Sequence, residues 1–245
     1  MFHLNLLLVV LLAGICKAAP NFPKSIDPLE NLGHARLFQG DIYIRNGTLF
    51  QDRFATKHKY LRWPNGIVFY TLDEIYSESE KLSVSYNFPE YEKQNLTKIS
   101  VLLLFLRCWS ELGRVGGVQS LALESPACMK KGLIMHELMH ALGFLHEQSR
   151  FDRDEYVKVV WSNIIEGMEP NFEKLYPAEI DDLSLDYDYR SIMHYRAFFF
   201  AKDRSLPTLR PTDKQVPLKA LGIGQAEGTF SQLDIQKINK FYECP

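Results

Sequence analysis

The sequence predicts one domain of ordinary size that mixes helices with strands, preceded by segments that lie outside its core. Three observations carry this. Residues 131–142 read as a helix that places His136 and His140 on one face. Two stretches upstream, 67–70 and 119–124, read as short strands, the second from weak alternation. The tail, 231–242, reads as a helix with Ser231 at its N-cap and apolar residues at Leu233, Ile235, Ile238 and Tyr242. At 245 residues the chain has room for one such domain plus processing segments.

Taken in order, residues 6–15 are apolar but too few to span a bilayer. Small residues at Cys16-Lys17-Ala18 then mark 1–18 as a signal peptide. Residues 19–53 show little periodicity and read as a propeptide rather than a domain, with Phe38-Gln39-Gly40-Asp41 inside it. The remaining 54–245 form the domain. Within it, 71–107 is atypical: Glu- and Ser-rich sequence, then Tyr86-Asn87-Phe88-Pro89, with no cysteine and no convincing helical stripe. The apolar run 100–106 fits a strand or core segment. Gly113-Arg114-Val115-Gly116-Gly117 is a turn-rich link and lacks the Lys-Ser/Thr ending of a phosphate loop.

Lys+Arg number 28 and Asp+Glu 30, a balance that gives no sign of a nucleic-acid or membrane-surface partner. No later stretch resembles a membrane anchor. Of four cysteines, Cys16 leaves with the signal peptide, so an odd set, Cys108, Cys128 and Cys244, reaches an oxidising compartment. Asn46-Gly47-Thr48 and Asn95-Leu96-Thr97 are glycosylation acceptors by pattern.

The chemistry concentrates in His136-Glu137-Leu138-Met139-His140-Ala141-Leu142-Gly143-Phe144-Leu145-His146. Histidines four apart on a helix can reach one zinc ion, each bond about 2.0–2.1 Å. Glu137 can reach a water on the metal without binding the metal itself. Gly143 lets the chain turn, so that His146 can return as a third ligand. Three protein ligands leave a position for water, the mark of a catalytic rather than a structural zinc. A bare pair of such histidines is common on helix surfaces. The third one, at this spacing, is the metzincin pattern.

Together with Glu147-Gln148-Ser149-Arg150 and Asp152-Arg153-Asp154, this stretch resembles the astacin family of secreted zinc metalloendopeptidases. The likeness extends to the pro-motif, to 53–70 and to nearly everything from Cys108 to Cys244, including Ser191-Ile192-Met193-His194-Tyr195, which matches the Met-turn. The resemblance implies an α+β, two-lobed metzincin domain. A twisted sheet and the zinc helix form the upper lobe, and an irregular lower lobe carries a terminal helix. It implies one catalytic Zn2+ on His136, His140 and His146, with Glu137 as general base. Tyr195 is then an extra zinc ligand that swings off to hold the reacting carbonyl, and Met193 is an apolar floor.

By the same resemblance, Asp41 binds the zinc in the zymogen only, and an activating protease cuts at Arg53 in preference to Arg45. The new amino terminus is then buried near Glu147. Cys108 pairs with Cys128, and 119–124 is the cleft-edge strand that meets extended protein or peptide substrates. The stretch 71–107 departs from the family, which has there a long amphipathic helix and a cysteine that would partner Cys244. That departure implies a free Cys244 thiol and a less stable domain. It also leaves an alternative reading, a catalytically impaired zinc- or peptide-binding member.

Overall fold

A computed structural model describes residues 37–44, 61–87, 98–102, 107–177 and 181–244. The expected signal peptide, Cys16, Arg45, Asn46, Arg53 and Asn95 lie outside the described residues.

The sheet of the upper lobe has five strands: β1 (Ile42–Tyr43), β2 (Phe69–Leu72), β3 (Lys98–Leu102), β4 (Trp109–Glu111) and β5 (Val118–Ala122), in the order β1-β4-β5-β3-β2. β2, β3 and β5 run parallel, β4 runs antiparallel to β5, and β1 lies parallel to β4. This corrects the expected cleft edge. β5 is interior, between β4 and β3, and on that side the domain's own edge is β4. β1, from the predicted propeptide, covers that edge, and Ser110 N–H donates to the Asp41 carbonyl at 2.9 Å.

Two helices flank this sheet. α1 (Glu78–Asn87) precedes β3, and α2 (Lys131–Ala141) carries the first two histidines. The helix α1 is a second correction, since no helix was legible in 71–107. Its start is a reciprocal cap. Ser77 donates to the Glu80 carboxylate from N–H at 2.8 Å and from Oγ at 2.6 Å. Glu80 N–H returns a bond to Ser77 Oγ at 3.4 Å. Tyr76 and Val84 pack with Trp63, Leu121, Leu123 and Ile134 in the core between helices and sheet. A helix therefore covers the sheet within 71–107. α2 has no side-chain N-cap and is buried at most of its positions, so packing rather than capping holds it. The Cys108–Cys128 disulfide is formed, and Cys244 is a free thiol.

The lower lobe is mostly irregular. It contains a two-stranded antiparallel pair, β6 (Val157–Val159) and β7 (Leu209–Pro211), a short α3 (Ile223–Glu227) and the terminal α4 (Gln232–Tyr242). Ser231 is the N-cap of α4, as the sequence predicted, and it forms a full capping box with Asp234. Asp234 also accepts from Ser191 Oγ at 2.5 Å and Ile192 N–H at 2.9 Å, which ties α4 to the Met-turn. A cluster of Met135, Met139, Phe144, Ile192, Met193, Ile238 and Phe241 joins α2 to that turn and to α4.

Candidate active site

The four-residue spacing on α2 places His136 and His140 on one face, edge to face, with ring centroids 4.8 Å apart. Gly143 ends the helix at φ +105°, and a Cβ there would lie 3.3 Å from the Phe241 ring. That turn brings the Phe144 carbonyl back to accept from His140 Nδ1 at 2.7 Å. It also directs the chain so that His146 meets the other two rings. The Ile192 carbonyl accepts from His136 Nδ1 at 2.8 Å. Gln39 Oε1 accepts from His146 Nδ1 at 2.9 Å. With every Nδ1 committed as a donor, the three Nε2 lone pairs face one point.

Asp41 completes the cluster. Its Oδ2 lies 3.2 Å from both His136 Nε2 and His146 Nε2, and its Oδ1 lies 3.4 Å from His140 Nε2. His136 Nε2 and His146 Nε2 are 3.3 Å apart. Two ligands about 2.0–2.1 Å from one tetrahedral ion lie about 3.3–3.4 Å from each other, so these separations are those of a zinc shell. His140 Nε2 and Asp41 Oδ1 are buried without hydrogen-bond partners, which also suits a metal between them. The donor set, three imidazoles and one carboxylate within 4.8 Å of one another, can hold one zinc ion.

The electrostatics favour neutral rings at His140 and His146. Burial lowers His140 and drives His146 down to about 4, although the Asp41 charge pulls both upward. Burial opposes ionisation of Asp41. The neighbouring imidazoles, His146 and His140 first, outweigh it and hold the carboxyl well below its ordinary value. Burial, then the Asp41 charge, raises Glu137 well above its ordinary value. Glu137 is 1% exposed, and its Oε2 has no hydrogen-bond partner.

Met193 is buried under the site against Met139 and Phe241. The Tyr195 ring lies 4.7 Å from that of His146, and its hydroxyl donates to the Gln39 carbonyl. Burial, then Asp41, raises that hydroxyl well above its ordinary range, so it stays protonated as a donor. Glu147 is buried and pairs with Lys237 and Arg150. Its backbone N–H donates to the Met193 carbonyl at 3.0 Å, linking the third histidine to the Met-turn. Sequence reasoning missed Gln39, Gln148 and Lys237. Gln148 Oε1 accepts from Tyr195 N–H at 2.9 Å. Only the position of these residues beside the motifs could have pointed to them.

With this geometry established, the family follows from comparison. The family model described as Astacin, a peptidase family, matches residues 55–243. The chain belongs to the astacin family. The zinc metalloproteinase nas-13 of Caenorhabditis elegans is 41% identical over 204 residues, 79% of this chain and 44% of that one. The astacin-like metalloendopeptidase of Coturnix japonica is 39% identical over 224 residues, 85% of this chain and 51% of that one. Among solved structures, the hatching-enzyme zinc protease high choriolytic enzyme 1 of Oryzias latipes superposes with a TM-score of 0.66 at 33% identity. It covers 81% of this chain and 98% of its own. The chain spans between 34% and 51% of the length of four of its curated astacin-family relatives. The two-lobed α+β domain and the histidine cluster are those that the resemblance implied.

Proposed function

We propose that this chain is a secreted zinc endopeptidase, made as a latent precursor, that hydrolyses protein or peptide substrates. The observation that carries the reading is the convergence of His136, His140 and His146 Nε2 on one tetrahedral site beside buried Glu137. When bound, the ion polarises the scissile carbonyl and acidifies the attacking water. Glu137 takes a proton from that water and returns it to the leaving amine as the C–N bond breaks. The Tyr195 hydroxyl donates to the carbonyl oxygen as negative charge gathers there. β4 offers an edge along which extended substrate backbone can pair.

Latency is supported by the pro-motif. Asp41 holds the position that reacting groups need, β1 covers the β4 edge, and the Gln39 carbonyl occupies Tyr195. Activation then requires another protease, with Arg53 favoured over Arg45. Secretion is supported by the apolar leader and by the Cys108–Cys128 bridge, which suits an oxidising compartment. Asn46 and Asn95 remain glycosylation candidates. No helix among the described residues is long and apolar enough to cross a membrane. The impaired-member alternative rested on the odd stretch 71–107. With α1 and β3 present there, it loses its motive.

The test is zinc content together with cleavage of a denatured protein by chain processed at Arg53. The processed protein should hold one zinc and cleave. Glu137→Gln should keep the zinc and lose about 10²–10⁴-fold in turnover. Near wild-type turnover by that variant overturns the assignment.

A further inference from the structure

We infer that Gln39 is a positioning residue that makes the intact precursor hold its zinc more tightly than the same site without the pro-segment. The three histidines are oriented by three acceptors, and these have different origins. Ile192 and Phe144 carbonyls belong to the domain and accept from His136 and His140. The acceptor for His146 is the Gln39 side chain, from the pro-segment, 107 residues away in sequence. Because His146 Nε2 faces the ligand cluster, its Nδ1 carries the proton, and the Gln39 atom that meets it is the amide oxygen.

Gln39 is built into this place rather than resting on it. It is 2% exposed, and its φ of +50° is a left-handed conformation that a non-glycine residue adopts only where its surroundings enforce it. The main chain of the same residue accepts from Tyr195. One residue therefore fixes the tautomer of the third ligand and holds the nearby phenol. Acceptors of this kind raise the basicity of a ligating imidazole, and their loss typically costs 10–100-fold in metal affinity. Removal of the pro-segment takes this one away. Gln39 complements Asp41 in the latent site: Asp41 supplies a donor to the metal, and Gln39 orients a donor that the domain already owns.

This inference rests on the latency reading, and the experiment keeps the two apart. Zinc affinity of the full unprocessed chain is measured by competition with a chromophoric chelator, for wild type, Gln39→Leu and Gln39→Glu. Peptide cleavage is measured on the same samples. Leucine keeps the bulk and removes the acceptor, whereas glutamate restores an acceptor of greater strength. The expected result is about tenfold or more weaker zinc binding by Gln39→Leu, with Gln39→Glu at least as tight as wild type. Equal affinity of wild type and Gln39→Leu overturns the inference. Equal weakening in both variants does so too, because the acceptor is then irrelevant. Cleavage by the intact wild-type chain tells against latency alone and leaves the affinity comparison to judge Gln39.

Discussion

The Lys237 ammonium lies against the Glu147 carboxylate, joining α4 to the residue that follows the third histidine. Both side chains are almost fully buried, at 9% and 5% exposure. The other Glu147 oxygen accepts from Asp188 N–H at 2.9 Å and from Arg150 at 3.3 Å. The carboxylate expected to receive a new amino terminus therefore already has cationic partners in this structure. Lys237→Met should destabilise the domain by about 3–5 kcal/mol, toward the lower end because Arg150 remains. Adding Glu147→Gln should recover part of that loss, since no uncompensated charge is then buried. Denaturant unfolding of the two single variants and the double variant measures the coupling. Strict additivity would show that the pair contributes nothing.

Asp41→Ala in the unprocessed chain should raise peptide cleavage above the wild-type precursor, because the carboxylate no longer occupies the fourth position of the donor cluster. The gain should stop short of processed enzyme, since β1 still covers β4 and Gln39 still holds Tyr195. Equal silence from both proteins would mean that the pro-segment blocks the cleft by bulk alone.

The site was more legible in the sequence than the sheet around it. Ligand spacing on a helix is fixed by a short period, so His136, His140 and the Gly143 turn could be read directly. Family resemblance added Asp41, Met193 and Tyr195. Gln39 and Lys237 were not legible, because their roles arise from contacts 107 and 90 residues away. The edge was misread for a related reason. Alternation marks 119–124 as a strand but says nothing about its neighbours, and strand order depends on pairing across the chain. α1 carries a mixed signal. Ser77 and Glu80 form the S-x-x-E cap, yet the helix carries little apolar stripe: Val84 is buried while Leu82 is 70% exposed.

One free thiol per chain is expected once residues 1–18 are removed. Cys108 and Cys128 are joined, which leaves Cys244. Cys244 is half-buried, so thiol titration should be done on non-reduced protein in denaturant. A disulfide-linked dimer would show instead that Cys244 pairs between chains. Either way the terminal segment lacks an intrachain bridge, a constraint that in other proteins is worth about 2–4 kcal/mol.

The helix α1 supplies a test of whether the atypical stretch is part of the folded unit. Val84 is fully buried in the core with Trp63, Leu121 and Ile134, and the Tyr76 hydroxyl donates to the Leu123 carbonyl at 2.9 Å. Ser125 also donates to Glu80, tying the helix start to the loop before α2. Val84→Ala removes two buried methyl groups and leaves a small cavity, at a cost of about 1–3 kcal/mol. Tyr76→Phe leaves a buried carbonyl without its donor, at about 1–2 kcal/mol. Leu82→Ala, on the exposed face of the same helix, should stay within about 0.5 kcal/mol of wild type. Chemical denaturation of the three variants gives the comparison. If Val84→Ala and Leu82→Ala cost the same, α1 is not docked on the sheet, and the expectation that the departure at 71–107 leaves a less stable domain regains its force.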